Sequence, residues 1–249
     1  MLKVRIIPIL LLRGNSIVKS VKFDEHRMIG DAVTAVKVFS ARKADELIVL
    51  DIDAQSKQPD FSLIRRLSRH SFLPLTIGGG IKNLDMADNL FRFGADKVTF
   101  NSLFFNDIET VKKIVKRFGA QAVTLSLDFK KKDNGYVAYF DGGTQESSLG
   151  LDEIFDRIKD SGVGELLLNS IDEDGVMDGY DLQLLKIFRE QVDIPIIIAG
   201  GCGNKDHMYE AVNAGADAIS AGSIFHWVGE SIISLKKDLD LKNIPVRLK

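Results

Sequence analysis

Two glycine-rich stretches and a scatter of aspartates carry most of the chemical suggestion in this sequence. Gly78-Gly79-Gly80 and Gly200-Gly201-Cys202-Gly203 each follow an apolar run that reads as a strand, and each precedes a segment of helical period. Glycines so placed let backbone N–H groups approach an anion, and the helix N-terminus adds a favourable dipole. Asn101-Ser102 and Gly222-Ser223 close the next apolar runs and supply further donors. Two such assemblies suit a ligand with a phosphate at each end. The plainer alternative is a pair of tight turns that need positive φ. Neither stretch has the spacing of a Walker loop or a dinucleotide fingerprint.

Carboxylates gather at the ends of the apolar runs: Asp51 and Asp53, then Asp128, then Asp172 and Asp174. Such groups suit general acid–base work, and aspartate is also an ordinary turn former. A different charged set stands where the runs begin: Arg5, Glu46, Lys97 and Glu165. If these four point into one interior, two cations and two anions neutralise one another in a ring, as burial would demand. From charge alone a structural plug, or plain solvated ends, is the simpler reading. Lys19, in "SIVKSVKF", could reach an anionic substrate or be a common loop lysine. Cys202 is the one cysteine, no paired histidine is evident, and it reads as packing. His26, His70, His207 and His226 are scattered without metal-ligand spacing, so neither a metal nor a cofactor is expected.

The frame that must position these groups repeats a strand followed by a helix. "RIIPILLL", "ELIVLDI", "LPLTI", "KVTF", "AVTLSL", "ELLLN", "IPIII" and "AIS" are mostly continuous apolar runs, as strands buried on both faces are. Between them lie helical periods, such as Ile108, Val111, Val115 and Phe118 on one face, with Asn106 expected as N-cap and Gly119 closing the helix. Two fold classes fit, a (β/α)8 TIM barrel and an open doubly wound sheet. An internal repeat favours the barrel. "PLTIGGGIKNLDMADNLFRFGADKVTFNS" returns as "PIIIAGGCGNKDHMYEAVNAGADAISAGS", with Pro195 lying 121 residues after Pro74 and Gly79/Gly200, Asp96/Asp217 and Ser102/Ser223 keeping the same offset. This implies one barrel domain over residues 1–249, made of half-barrels over approximately 1–120 and 121–249. One long insertion, residues 130–148, reads as a hairpin or lid after strand 5.

The bulk properties exclude other classes. With 249 residues, 45% hydrophobic, the chain can bury a full core. A net charge of −2 gives no push toward nucleic acid or an anionic membrane, and no apolar stretch approaches membrane-spanning length. The single cysteine suits a reducing, cytoplasmic setting.

Taken together, "RIIPIL", "VKFDEHRMIGDAV", "ADELIVLDIDA", the first glycine repeat, "GELLLNSIDEDGVMDGYDLQLLK", "PIIIAGGCGNKDHMYEA" and "SIFH" resemble the cyclase subunit family of imidazole glycerol phosphate synthase (HisF), from about residue 1 to about 245. The resemblance implies a (β/α)8 barrel that pairs with a HisH-type glutaminase on its N-terminal face. Ammonia would cross the barrel to a bis-phosphorylated ligand at the other mouth. It implies that Arg5, Glu46, Lys97 and Glu165 gate the ammonia passage, that Lys19, Asp51, Asn101 and Asp174 lie near substrate, and that Gly79, Gly80, Asn101, Ser102, Gly200, Gly201, Gly222 and Ser223 grip its phosphates. It also implies a catalytic aspartate pair at the ends of strands 1 and 5. Asp128 matches the second, but Leu11 stands at the first, and leucine carries no proton. Arg13-Gly14-Asn15 and Ser20 depart from the family's pattern in the loop that follows. A retained gate with half an acid–base pair suggests a HisF-like paralogue. Its ammonia would pass to a sugar amidotransferase of surface-polysaccharide synthesis, the alternatives being a working cyclase of histidine biosynthesis and a non-catalytic scaffold.

Overall fold

In the computed structural model, residues 3–54, 57–133, 135–228 and 231–248 are described. Eight parallel strands close on themselves: β1 (Arg5–Arg13), β4 (Leu47–Asp51), β5 (Leu75–Gly78), β6 (Lys97–Phe100), β7 (Val123–Lys132), β10 (Glu165–Ser170), β11 (Ile196–Ala199) and β12 (Ala218–Ala221). The ring is completed where β7 pairs β10 and where β12 pairs β1. Helices α1 (Ala32–Ala41), α2 (Phe61–His70), α3 (Leu84–Arg92), α4 (Ser102–Asn106), α5 (Ile108–Phe118), α6 (Leu151–Ser161), α7 (Leu182–Gln191), α8 (Lys205–Asn213) and α9 (Ile232–Leu241) alternate with them. The fold is the expected (β/α)8 barrel rather than an open sheet.

Strand alternation explains the two cores. Ile6, Leu10, Leu12, Val98, Leu125, Leu166 and Ile219 face the helix layer and join one large cluster. The residues between them face inward. Ile7, Ile48, Leu167, Ile197, Ala199 and Ala218 form a separate cluster that fills the barrel interior, with Ile9 and Leu50 packed against it. A continuous apolar run is therefore two alternating sets, each with its own core.

The helices start on polar caps. Asp31, Asp60, Asn83, Asp181 and Asn204 each accept a backbone N–H of the first turn. For α5 the cap is Asp107, which accepts from Thr110 N, and Asn106 instead ends α4. The sequence expectation was displaced by one residue because the short helix α4 occupies the loop.

Two antiparallel hairpins decorate the C-terminal mouth. The insertion after the fifth barrel strand is a hairpin as expected, in which the extended end of β7 pairs β8 (Gly135–Phe140) and β8 pairs β9 (Gln145–Glu146). Asn134, within that insertion, lies outside the described residues. A second hairpin, β2 (Ser16–Val21) with β3 (Asp24–Asp31), follows β1 and was not anticipated. Its turn uses positive φ at Lys22 and Phe23, so no glycine marked it.

At the opposite end, three aspartates bracket neighbouring strands. Asp45 N donates to Ile6 O while Ile6 N donates to Asp45 Oδ2 at 2.8 Å. Asp96 makes the same exchange with Leu75, and Asp217 with Ile196. Each carboxylate thus satisfies a strand-start N–H that would otherwise lack a partner.

Candidate functional site

The four charged residues of the strand beginnings meet inside the barrel. Arg5 donates to Glu46 Oε1 and Glu165 Oε1, both at 2.6 Å, and Lys97 Nζ donates to Glu46 Oε2 and Glu165 Oε2, both at 3.0 Å. Every cation touches both anions. Thr124 Oγ1 adds a bond to Glu165 Oε2 at 3.0 Å. The carboxylates are nearly buried, so unpaired they would be costly. For Glu165, burial pushes the carboxyl upward, but Arg5 and Lys97 outweigh it and hold the pKa below its ordinary value. Burial opposes the charge on Arg5 too, and its two glutamates reverse that effect and raise its pKa.

Above the ring, the interior wall is apolar except for hydroxyls and the amides of Asn101 and Asn169. Thr99 lies two residues above Lys97 on β6, and Ser220 lies 121 residues after Thr99 on β12, directly across the barrel. Thr99 Oγ1, Ser220 Oγ, Asn101 Oδ1 and Asn169 Oδ1 are all buried without a hydrogen-bond partner in the protein. Buried polar atoms rarely go unpaired, and a run of them along one lumen suits a small hydrogen-bonding guest.

Asp128 sits at the C-terminal mouth, 8% exposed, and accepts from Asn101 Nδ2 at 2.7 Å and Asn169 Nδ2 at 3.3 Å. Burial raises its pKa to about 7 despite these donors, so the group exchanges a proton near neutral pH. Asn169 was not singled out in the sequence. Its signal was its position, since it ends β10 two residues beyond inward-facing Leu167.

The strand register identifies the residue opposite. Ile7 pairs with Ser220 and Thr124 pairs with Thr99, while Ser220 is the repeat equivalent of Thr99. Ile7 therefore corresponds to Thr124, and four residues further on Leu11 corresponds to Asp128. Asp51 ends β4 beside Leu12 and accepts Asp53 N at 3.0 Å, with a pKa raised mainly by burial. Asp53 instead pairs with Arg13 and Lys57 at the rim.

Lys19 is no solvated loop lysine. It lies on β2 and is 9% exposed, with its amine filling the space that a side chain at Gly222 would occupy. Burial lowers its pKa to about 8, and Asp174 partly opposes this. Asp174 is raised by burial, with Ser20 and Lys19 pulling it back. Ser20 Oγ donates to Asp174 Oδ2 at 2.8 Å, and Lys22 N donates to Asp174 O at 2.8 Å, so the first hairpin is tied down over the mouth.

Backbone crowding alone demands the loop glycines. Gly80 (φ 65°) lies against the Ala54 carbonyl and Gly201 (φ 98°) against the Gly179 carbonyl, where any Cβ would overlap. Gly79 and Gly200 approach Asp51 and Ser170 in the same way. Ser102 Oγ accepts Asp141 N at 3.1 Å, and Ser223 is buried at the foot of the 224–228 turn. Asp172 accepts Lys131 N at 2.7 Å and so belongs to a hairpin contact. Cys202 is buried with its thiol pushed up to about 11 by burial, in keeping with packing. Among the described residues no group of three or more His, Cys, Asp or Glu could hold a metal, and no helix is long and apolar enough to cross a membrane.

The "histidine biosynthesis protein" family model matches residues 5–229. The chain is 41% identical, over the full length of both, to a Campylobacter jejuni protein provisionally named imidazole glycerol phosphate synthase subunit hisF2. It is 40% identical to the imidazole glycerol phosphate synthase subunit HisF of Streptomyces avermitilis over 99% of each chain, and 38% identical to that of Chlorobium limicola over 100% of each.

Proposed function

Because the chain belongs to the histidine biosynthesis protein family, as a HisF-type cyclase subunit of imidazole glycerol phosphate synthase, we propose that it pairs with a HisH-type glutaminase and conducts ammonia through the barrel. Its own cyclase activity is then weak or lost, and the ammonia goes to a sugar amidotransferase of surface-polysaccharide synthesis.

The observation that carries this reading is the contrast between the ends of the barrel. The ring of Arg5, Glu46, Lys97 and Glu165 is complete in charge and geometry, whereas the mouth keeps Asp128 and has Leu11 at the corresponding place. A ring in which every charge is paired holds off water and ions yet opens by side-chain rotation, and neutral ammonia is small enough to follow. Thr99, Ser220, Asn101 and Asn169 offer it hydrogen-bond partners on the way. A positioned acid–base group contributes about 10²–10⁴-fold, so Leu11 removes a large part of the cyclisation chemistry.

The N-terminal face supports a docked partner. Of the three bracketing aspartates, Asp45 is paired with Lys236 and Asp217 with Arg189. Asp96 is exposed, and no cation among the described residues pairs with it. A lysine or arginine of the glutaminase would complete it. Phe72, 91% exposed in the loop between α2 and β5, adds an apolar contact on the same face. At the mouth, Gly79, Gly80, Asn101 and Ser102 on one side and Gly200, Gly201, Gly222 and Ser223 on the other would grip the phosphates of a small ligand. Lys19, Asp51 and Asp174 would line its middle.

Binding and activity measurements test the reading. The purified chain is expected to form a complex with the HisH-type glutaminase of the same organism and to raise its glutamine hydrolysis, with Glu46→Gln and Lys97→Met altering that stimulation. With a sugar acceptor and its amidotransferase present, glutamine amide nitrogen is expected in the product. Absence of any complex overturns the pairing, and a complex without nitrogen transfer leaves only a scaffold. Turnover of the bis-phosphorylated substrate by the wild type with excess ammonium would make it a working cyclase, the second reading, which Asp128 and the glycine loops favour.

A further inference from the structure

Under the charged ring lies an ion pair that the passage itself does not use. Lys236, on α9, donates to Asp45 Oδ1 at 2.7 Å and to the Lys43 carbonyl at 2.8 Å, and the two side chains are 3% and 4% exposed. The other oxygen of Asp45 accepts Ile6 N at 2.8 Å. Asp45 is thus held on one side by a helix and on the other by β1. Its chain neighbour is Glu46, and Ile6 is the neighbour of Arg5, so this carboxylate sits one residue from each member of the 2.6 Å Arg5–Glu46 pair.

The other two brackets supply a comparison. Asp217 makes the same bracket and has its own cation, Arg189 at 2.8 Å, but that pair is partly exposed and the residue following Asp217 is Ala218, which carries no charge into the ring. A bracket needed only to hold strands together works with a half-exposed pair. The Asp45 bracket is sealed from water, whereas that of Asp96, beside Lys97, is exposed, and Lys236 holds the Asp45 carboxylate through Oδ1.

We propose that Lys236 and Asp45 are positioning residues of the charged ring. Lys236 orients the Asp45 carboxylate, the carboxylate sets the start of β4 against β1, and Glu46 is thereby placed to hold Arg5 and Lys97 together. The segment after α9 reinforces this arrangement, because Val4 N donates to the Pro245 carbonyl at 2.8 Å just before Arg5. The functional meaning of the inference rests on the reading of the ring as an ammonia gate, whereas the placement of the ring can be tested without it.

Amine labelling of the full-length protein, read by mass spectrometry, is that test. Lys97 is 19% exposed and bound to two carboxylates, so it reacts slowly with an acylating reagent. Lys236→Met is expected to speed Lys97 labelling several-fold by letting Glu46 move, and Lys236→Arg to restore the slow rate. Arg189→Met, which breaks the equivalent bracket away from the ring, is expected to leave Lys97 as in the wild type. Lys19, buried at the far mouth, reports any general opening. Should its labelling rise in Lys236→Met as well, the double variant Asp45→Asn/Lys236→Met, with no charge left unpaired, decides by the same criterion. An unchanged Lys97 rate, or an equal rise in Arg189→Met, overturns the proposal. Neither glutaminase nor ammonia enters the measurement, so a misplaced ring and a ring that is not a gate give different results.

Discussion

Leu11 and Asp128 occupy equivalent positions on opposite sides of the barrel, related by the strand register and the 121-residue sequence repeat. The mouth is two-faced as a result. One side presents Asp128 with Asn101 and Asn169, and the other presents Leu11 next to Leu50. A reaction that needs an acid and a base across a bound ligand finds only one of them.

Restoring the second group is the direct test. Leu11→Asp is expected to raise ammonium-dependent cyclisation of the bis-phosphorylated substrate by about 10²-fold or more over the wild type. A steady-state assay of both proteins checks this. No gain in the variant would place the defect elsewhere, in the altered loop after β1.

Asp128 makes stability depend on pH with a definite sign. Its folded pKa of about 7 lies above its ordinary 3.8, so the folded protein holds the extra proton between these values and loses stability as pH rises through them. The total loss is up to about 4 kcal/mol at ~1.4 kcal/mol per pKa unit. Urea unfolding of the wild type and Asp128→Asn, at about pH 5 and about pH 8, is expected to show the variant gaining on the wild type at the higher pH.

Glu165 acts in the opposite direction. Its pKa is held below its ordinary 4.5 by Arg5 and Lys97 against the effect of burial, so its contribution is present above that value and fades as pH falls through the lower folded one. Glu165→Gln is expected to be less stable than the wild type at neutral pH by about 3 kcal/mol, since it leaves the cations short of an anion. The gap narrows in acid, which parallel acid-unfolding curves would show.

The first hairpin is latched to Asp174 by one hydroxyl and one backbone N–H. Ser20→Ala removes the 2.8 Å bond to Asp174 and is expected to cost about 1.5 kcal/mol locally, as for a bond to a charged acceptor. Opening of the hairpin then becomes roughly tenfold more frequent. Limited trypsin digestion at Lys22 and Arg27 should accelerate by about that factor, while cleavage elsewhere stays the same.

Much of this arrangement could be read from the residue order, and the parts that could not have physical reasons. The eight apolar runs, the 121-residue repeat and the hairpin after strand 5 were legible because buried parallel strands leave long hydrophobic signatures. The charged ring was legible as a set of four residue types at strand starts, but charge alone could not say that they converge. The hairpin β2–β3 was missed because its strand Asp24–Asp31 is mostly exposed and polar, and its turn carries no glycine. Lys19 was left open between a substrate and a loop role for the same reason, since its burial depends on that hairpin and on the small Gly222. The brackets had a signal in the sequence: Ala95-Asp96 and Ala216-Asp217 stand immediately before a strand start, and Ala44-Asp45 one residue further from its own.

Seen along the barrel axis, the ring is an electrostatic quadrupole. Its members follow around the barrel as Arg5, Glu46, Lys97 and Glu165, so positive and negative charges alternate. Four alternating charges carry no net charge and, when evenly placed, no dipole, and a quadrupole's potential vanishes along its axis and decays steeply away from it. An ion on the axis of such an evenly placed set feels almost no pull toward it, and a neutral molecule on the axis meets no monopole to trap it. Neutralising any one of the four turns the quadrupole into a net charge and makes the centre of the barrel an attractor for counter-ions.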